Sequence, residues 1–293
     1  MHKFLRAIGF SQFDTKKKVY SLLQLCSIEP DTRMYTTNGE DTLLTEYCKD
    51  FAPNMGIALC GELDEGNQFY YDHYYPYFRG SHISSQEDIS IERQASGSSY
   101  AGVCDDIRMG VSLIFYLQNV IEYVKIKNEN RLPIRGTTLT LSGLSFSGTI
   151  MMPINKNEHQ IEKIRKESIS RNHLLQAARK GDERAIETLT LEDMDIYSSI
   201  SRKIHKEDIF SLVDTYFMPY GVECDHYSVL GEITECSKVK NRLSGEEIYT
   251  MSLSCNELNI DICINAQDIY GEPQVGRRFK GLIWLQGFVN FPA

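Results

Sequence analysis

The run Arg277-Arg278-Phe279-Lys280-Gly281-Leu282-Ile283-Trp284-Leu285-Gln286-Gly287-Phe288-Val289-Asn290-Phe291 has two faces at period two. Successive side chains of a strand point to opposite sides. Phe279, Gly281, Ile283, Leu285, Gly287, Val289 and Phe291 therefore share one face, which reads as core. Arg278, Lys280, Leu282, Trp284, Gln286 and Phe288 share the other, which joins two cations, the single tryptophan and another aromatic. Gly281 and Gly287 allow so long a strand to bend.

The same period recurs upstream. Tyr227, Val229, Gly231 and Ile233 alternate with polar residues; so do Tyr249, Met251, Leu253 and Cys255, and then Ile260, Ile262 and Ile264. Ser244-Gly245 and Asn256-Glu257-Leu258-Asn259 supply turns between them. Four alternating segments predict a C-terminal antiparallel β-module over residues 214–293, with a barrel as its closed form.

Residues 154–213 change period and read as a helical segment. Ile161, Ile164, Leu174, Leu175 and Ala178 give an apolar stripe, and the polar stretch 155–172 reads as a linker. Gly181-Asp182 ends one helix and caps the next, whose apolar side is Ala185, Ile186 and Leu189. Thr190-Leu191-Glu192-Asp193 resembles a capping box before a third helix. Residues 207–213 read as one more helical turn.

Residues 1–153 predict an α+β domain, an antiparallel sheet with packed helices. Val19, Leu22, Leu23 and Cys26 recur at helical spacing after an Asp14-Thr15 cap. Residues 43–51 read as a short helix or an irregular strand. Met55–Leu63 and 68–78 flank the turn Asp64-Glu65-Gly66-Asn67 and predict a hairpin. Ile107, Val111, Ile114, Leu117, Ile121 and Val124 predict a five-turn helix capped by Asp105-Asp106. Residues 137–150 alternate again, with Gly143 and Gly148 marking bends.

The 293 residues are 42% hydrophobic and 24% charged, the balance of a globular chain of about two units. The net charge of -9 divides into -4 over residues 1–150, +1 over 151–204 and -6 over 205–293. Nucleic-acid binding relies on neutralising phosphates, so this balance disfavours it. No run approaches about 20 apolar residues, and the opening lacks an apolar run of signal-peptide length. The expectation is a cytoplasmic protein with no membrane association. Eight cysteines without a C-x-x-C pair read as reduced core thiols.

Two stretches carry a resemblance: Met1-His2-Lys3-Phe4-Leu5-Arg6-Ala7-Ile8-Gly9-Phe10, and Gly271-Glu272-Pro273-Gln274-Val275-Gly276 running into Arg277–Gly287. They resemble an uncharacterised conserved family of clostridial Firmicutes, a domain of unknown function, over nearly the whole chain. The resemblance implies a bacterial cytoplasmic protein and transfers no activity, cofactor or catalytic residue.

Reactive motifs are sparse. Gly143-Leu144-Ser145-Phe146-Ser147-Gly148 departs from a nucleophile elbow, because its second glycine is one residue late and strand pattern follows; a bulged hairpin is the simpler reading. In Glu223-Cys224-Asp225-His226, strand alternation sets Cys224 and His226 on one face and Asp225 on the other, which reads as a strand edge rather than a metal or thiol site. Cys104 precedes Asp105-Asp106 at the expected helix start, where two carboxylates oppose thiolate formation. Neither G-x-G-x-x-G nor G-x-x-x-x-G-K-[ST] occurs. No cofactor or metal site is expected.

The candidate binding residues are Arg278, Lys280, Trp284, Gln286 and Phe288 on the last strand, and Tyr71 and Tyr75 in the aromatic run 69–78. The simpler role of the first set is an interface with the helical segment; that of the tyrosines is cross-strand pairing. The leading functional expectation is a non-enzymatic binding or assembly module with a protein partner or a second copy. The alternatives are an enzyme acting on a small polar metabolite in a cleft between the two parts, and single-strand nucleic-acid binding by the C-terminal module.

Overall fold

Four strands, with an asparagine turn between the second and third, build the first sheet. β1 (Thr32–Thr37), β2 (Leu43–Ala52), β3 (Met55–Leu63) and β4 (Phe69–Phe78) pair antiparallel in sequence order. The structure is a computed structural model that describes residues 2–37, 43–64, 66, 68–94, 99–154, 158–203, 210 and 213–292. Asn54, at φ +59°, makes the tight β2–β3 turn. At the β3–β4 turn the Asp64 carboxylate accepts from the Gly66 and Gln68 amides; Glu65 and Asn67 lie outside the described residues.

The second sheet holds β5 (Ile89–Arg93), β6 (Tyr100–Cys104), β7 (Leu113–Leu117), β8 (Thr138–Met151), β9 (Tyr216–Pro219), β10 (His226–Lys240), β11 (Glu247–Cys255), β12 (Leu258–Asn265), β13 (Ile269–Tyr270) and β14 (Arg278–Asn290). The four C-terminal strands expected from period two are β10, β11, β12 and β14. β8 bonds β12 in parallel and β14 antiparallel, so the pairing β8-β12-β11-β10-β14 returns to β8. β5 to β8 come from before residue 154, so this sheet runs across the 153/154 boundary. A strand's pattern shows which face is buried, but not which strand lies beside it.

α1 (Lys16–Ile28) starts at Thr15, whose hydroxyl accepts from the Lys18 amide, and buries Val19, Leu22, Leu23 and Cys26. Of the two alternatives for residues 43–51, the irregular strand is the one formed. Two local expectations are corrected. The five-turn helix over 107–124 is instead a turn, β7, and then α2 (Val120–Asn128). The capping box at 190–193 lies inside one continuous helix, α4 (Glu183–Lys203), which follows α3 (Glu158–Arg179) after Gly181 in the left-handed region. Of the turn expected over 207–213, only Phe210 and Val213 are among the described residues.

Two cores flank the second sheet. One face of β14 gives Phe279, Ile283, Leu285 and Val289 to a core with Ile262 and Leu253. The opposite face gives Trp284 to a second core with Phe4, Leu22, Ile57, Tyr75 and Tyr116. This second core lies between the two sheets, closed by α1 and the 3-10 helix Lys3–Ile8.

The chain start is clamped onto the C-terminal strands. Asn241 donates to the Ile8 carbonyl at 2.7 Å, and Glu246 accepts from the Ser11 amide and hydroxyl and from Asn265. Gly9 sits at φ +86°, where an added Cβ would lie 2.9 Å from Asn241 Cβ. The two ends that carried the resemblance thus meet: the Phe4 and Trp284 rings stack with centroids 5.4 Å apart.

Candidate functional site

The residues singled out on β14 turn inward. Arg278 is buried and donates to four backbone carbonyls, those of Met152, Val213, Asp214 and Phe210. Lys280 Nζ lies 4.0 Å from the Phe210 ring centroid. This end of the strand therefore meets the segment just before β9. Trp284 donates through Nε1 to Asp225 Oδ2 at 2.7 Å and is covered by His2, Phe4 and Tyr116. Gln286 is fully buried against β4, and Phe288 is half-buried. Tyr75 is buried and bonds Glu46 and the Gln118 carbonyl, whereas Tyr71 is exposed; a register shift between them lets Asp72 bulge.

The other motifs have structural roles. Ser145 Oγ donates to the Leu282 and Ser147 carbonyls at a β8 bulge inside a continuous strand, so the bulged hairpin is corrected to a bulged strand. Cys104 ends β6 in the core, not a helix start, and burial pushes its thiol up. Cys224 is exposed, while His226 begins β10 and stacks on Phe4. Asp225 lies in the turn before the strand, so alternation does not separate it from His226: Nδ1 is 3.2 Å from Asp225 Oδ1, without hydrogen-bond alignment. Among the described residues, no group of three or more His, Cys, Asp or Glu is placed to hold a metal ion.

What the sequence did not bring together is a cleft of about 260 Å³ where the sheets part. One wall is the β2–β3 turn at Pro53 and Asn54 and the chain leaving β4, with Phe78, Arg79 and Ser81. The other is formed by β10 to β12, with Glu235, Ser237, Thr250, Ser252 and Asp261. The crossing chain is pinned at both ends: Arg79 N donates to the Asn54 carbonyl at 2.7 Å, and the Ser84 and Ser85 amides donate to the Leu139 carbonyl.

The cleft has a positive side. The Arg79 guanidinium lies over the Tyr77 ring at 4.7 Å and reaches Cys48 Sγ at 3.8 Å. Among the described residues it forms no ion pair with a carboxylate. Its planar donor fork is suited to a carboxylate or phosphate. Ser237 and Thr250 hydroxyls, 2.6 Å apart across β10 and β11, supply neutral hydrogen-bonding groups nearby.

The opposite side is an oriented acid–histidine pair. Asp261, 4% exposed, accepts from the Ser81 and His82 amides and from the Ser81 and Ser252 hydroxyls. Its Oδ1 stands 3.2 Å from His82 Nδ1. The other imidazole nitrogen, Nε2, faces Glu235 at 3.6 Å on the exposed rim.

A buried polar layer lies behind Arg79. The Glu46 carboxyl accepts from Cys48 Sγ, Cys60 Sγ and Tyr75 OH at 3.4, 3.5 and 3.1 Å. Burial pushes it above the ordinary carboxylate range, against the pull of those donors. The same burial raises Cys48, Cys60 and Tyr75 well above their usual values, so they stay protonated and donate. Beside this layer Gln118 and Gln286 serve the free edge of β4: Gln118 Nε2 donates to Phe78 O, Gln286 Nε2 to Pro76 O, and Gln286 Oε1 accepts from Phe78 N. These amides fix the strand that ends in Arg79.

The family model described as "Domain of unknown function, E. rectale Gene description (DUF3881)" matches residues 5–287. The chain belongs to this family. The match spans both sheets and includes every residue of the cleft. No curated protein and no solved structure matches the chain.

Proposed function

We propose that this protein binds a small polar ligand bearing an anionic group in the cleft between its two sheets. The observation that carries this reading is Arg79, a cation that lines the same cleft as the Ser237 and Thr250 hydroxyls and has no carboxylate ion pair among the described residues. At about 260 Å³ the cleft suits a metabolite rather than a polymer. Glu235 and Asp261 on the far wall favour a ligand that also carries donors or a positive group. The buried Trp284 face supports binding in the cleft over a contact through β14.

Isothermal titration with inorganic phosphate and with acetate tests the reading. Hydrogen bonds to a charged group contribute about 1.5–3 kcal/mol, so Arg79→Gln weakens binding by roughly ten- to a hundredfold. Thr250→Val, which leaves the cation in place, weakens it less. Equal affinities of wild type and Arg79→Gln, or no binding of either anion by wild type, overturn the reading.

A second reading rests on His82 and Asp261. A carboxylate that orients an imidazole is the arrangement of a general base, so this pair, with Asp261 in the cleft and His82 beside it, is suited to remove a proton from water or a substrate hydroxyl. Hydrolysis of p-nitrophenyl acetate by wild type and not by His82→Gln supports catalysis; equal rates remove it. The reading also takes the protein to be bacterial and cytoplasmic. It is supported by the E. rectale origin of the family description, by eight free cysteines, and by the absence among the described residues of a helix long and apolar enough to cross a membrane.

A further inference from the structure

A cationic segment at the chain start lies over the single tryptophan. Residues 2–10 carry Lys3 and Arg6 and no acid. The 3-10 helix Lys3–Ile8 ends at Gly9, in the left-handed region at φ +86°. Side-chain amides hold its far end: Asn241 donates to the Ile8 carbonyl and Asn265 to the Arg6 carbonyl, and Arg6 pairs with Asp268. The near end rests on His2, whose ring centroid lies 4.7 Å from that of Trp284 and whose amide donates to Tyr74 OH at 3.1 Å.

This resting place suits a neutral imidazole. His2 Nδ1 is buried without a hydrogen-bond partner among the described residues, as are both ring nitrogens of His226, which stacks on Phe4. A protonated ring donates from both nitrogens, so a proton on His2 strands a charged donor at Nδ1. Lys3, the chain's amino group and a protonated His226 repel charge there. Asp225 is the carboxylate that attracts it, and its Oδ2 is engaged by Trp284 Nε1 at 2.7 Å. Glu223 lines a small cavity with Lys3 and His226. β4 adds Tyr74, and β7 adds Tyr116, 3.3 Å from His73 Nε2 and packed on Trp284. Burial, with the neighbouring cations, pushes His2 from the ordinary 6.5 down to about 4.

We infer that the chain start is an acid-released latch: protonation of His2 lifts the 3-10 helix off Trp284, with Gly9 as the hinge, while both sheets stay folded. Release uncovers Trp284 and the inter-sheet core beneath Phe4. A six-residue helix freed from its sheets does not hold its own bonds, so it unravels. The closed form keeps His2 neutral. Its contribution to closure is therefore complete above pH 6.5 and is lost as pH falls toward 4. By pH 5 the ratio of released to closed chains rises about 30-fold. The inference does not depend on the cleft.

Amide hydrogen exchange on the full chain at pH 7.5 and 5.0, corrected for the intrinsic rate at each pH, is the test. The Leu5 and Phe10 amides, which bond the His2 and Leu5 carbonyls, report release, and the Ile262 amide in β12 reports the sheets. Protection at Leu5 and Phe10 is expected to fall about 30-fold at pH 5.0, with Ile262 holding. His2→Phe, which keeps a ring against Trp284, and His2→Gln, which does not, both lose this pH dependence, whatever their protection at pH 7.5. A wild-type fall of less than about threefold, an equal fall in either variant, or an equal fall at Ile262 overturns the inference.

Discussion

Gln286→Leu removes the carboxamide that joins β14 to the free edge of β4 without greatly changing volume. Gln286 is fully buried; its Oε1 accepts from Gln118 Nε2 at 2.7 Å and from Phe78 N at 3.3 Å, and its Nε2 donates to Pro76 O at 2.8 Å. In the variant, Phe78 N loses its acceptor and Pro76 O its donor. Gln118 keeps the Phe78 carbonyl at 2.8 Å. Two stranded backbone groups at about 1–3 kcal/mol each set the scale, and the added apolar burial of leucine offsets about 1–2 kcal/mol. The net expectation is a loss of about 2–4 kcal/mol in urea unfolding followed by Trp284 fluorescence, with an unchanged slope. Phe78 and Arg79 line the cleft, so phosphate affinity falls in the same variant. Adding Gln118→Leu removes a partner of the same network, and the two losses sum to less than additive by about 1 kcal/mol. A loss below about 0.5 kcal/mol would refute the reasoning, because it would mean that the β4 edge does not depend on these amides.

Glu46→Gln tests the buried carboxyl. Its native pKa is raised above 4.5, so its favourable contribution is complete below that pH and is lost as pH rises through the native value. Wild type therefore loses stability relative to the variant on going up through this window, by at most about 1.4 kcal/mol per pH unit, in urea titrations at a series of pH values. A stability difference independent of pH contradicts an ionisable, desolvated Glu46. Trp284→Phe deprives Asp225 of the indole N–H and trims the ring stacked on Phe4; denaturant unfolding followed by circular dichroism is expected to show a loss of about 2–3 kcal/mol. A neutral outcome there contradicts the inward placement of that face.

Much of the fold was legible where apolar residues alternate with polar or small ones, as in β10, β11 and β12, and where Thr15 and Gly181-Asp182 carry cap chemistry that works locally. The failure at 107–124 has the opposite cause. β7 is buried on both sides, with Phe115 in one core and Tyr116 in the other, so its sequence Leu113-Ile114-Phe115-Tyr116-Leu117 does not alternate. A continuous apolar run does not distinguish a doubly buried strand from a helix. The cation-and-tryptophan face of β14 is a second core face, roofed by another sheet and by the chain start, and its Arg278 end meets Phe210 and Val213 of the 154–213 segment. The cleft had no linear signal. Arg79, Glu235, Thr250 and Asp261 are far apart in sequence, and each reads as an ordinary polar residue. Only the pairing of β10 to β12 and the anchored crossing at 79–85 bring them together.

The most direct measurement of the central claim is the Nε–Hε cross-peak of Arg79 in a ¹H–¹⁵N spectrum, assigned by its loss in Arg79→Gln, during titration with inorganic phosphate. The account predicts a saturable shift of that peak, with the Ser237, Thr250 and Ser252 amides moving on the same isotherm. An Arg79 signal that stays still while phosphate saturates the sample, or shifts confined to residues outside the cleft, contradicts it.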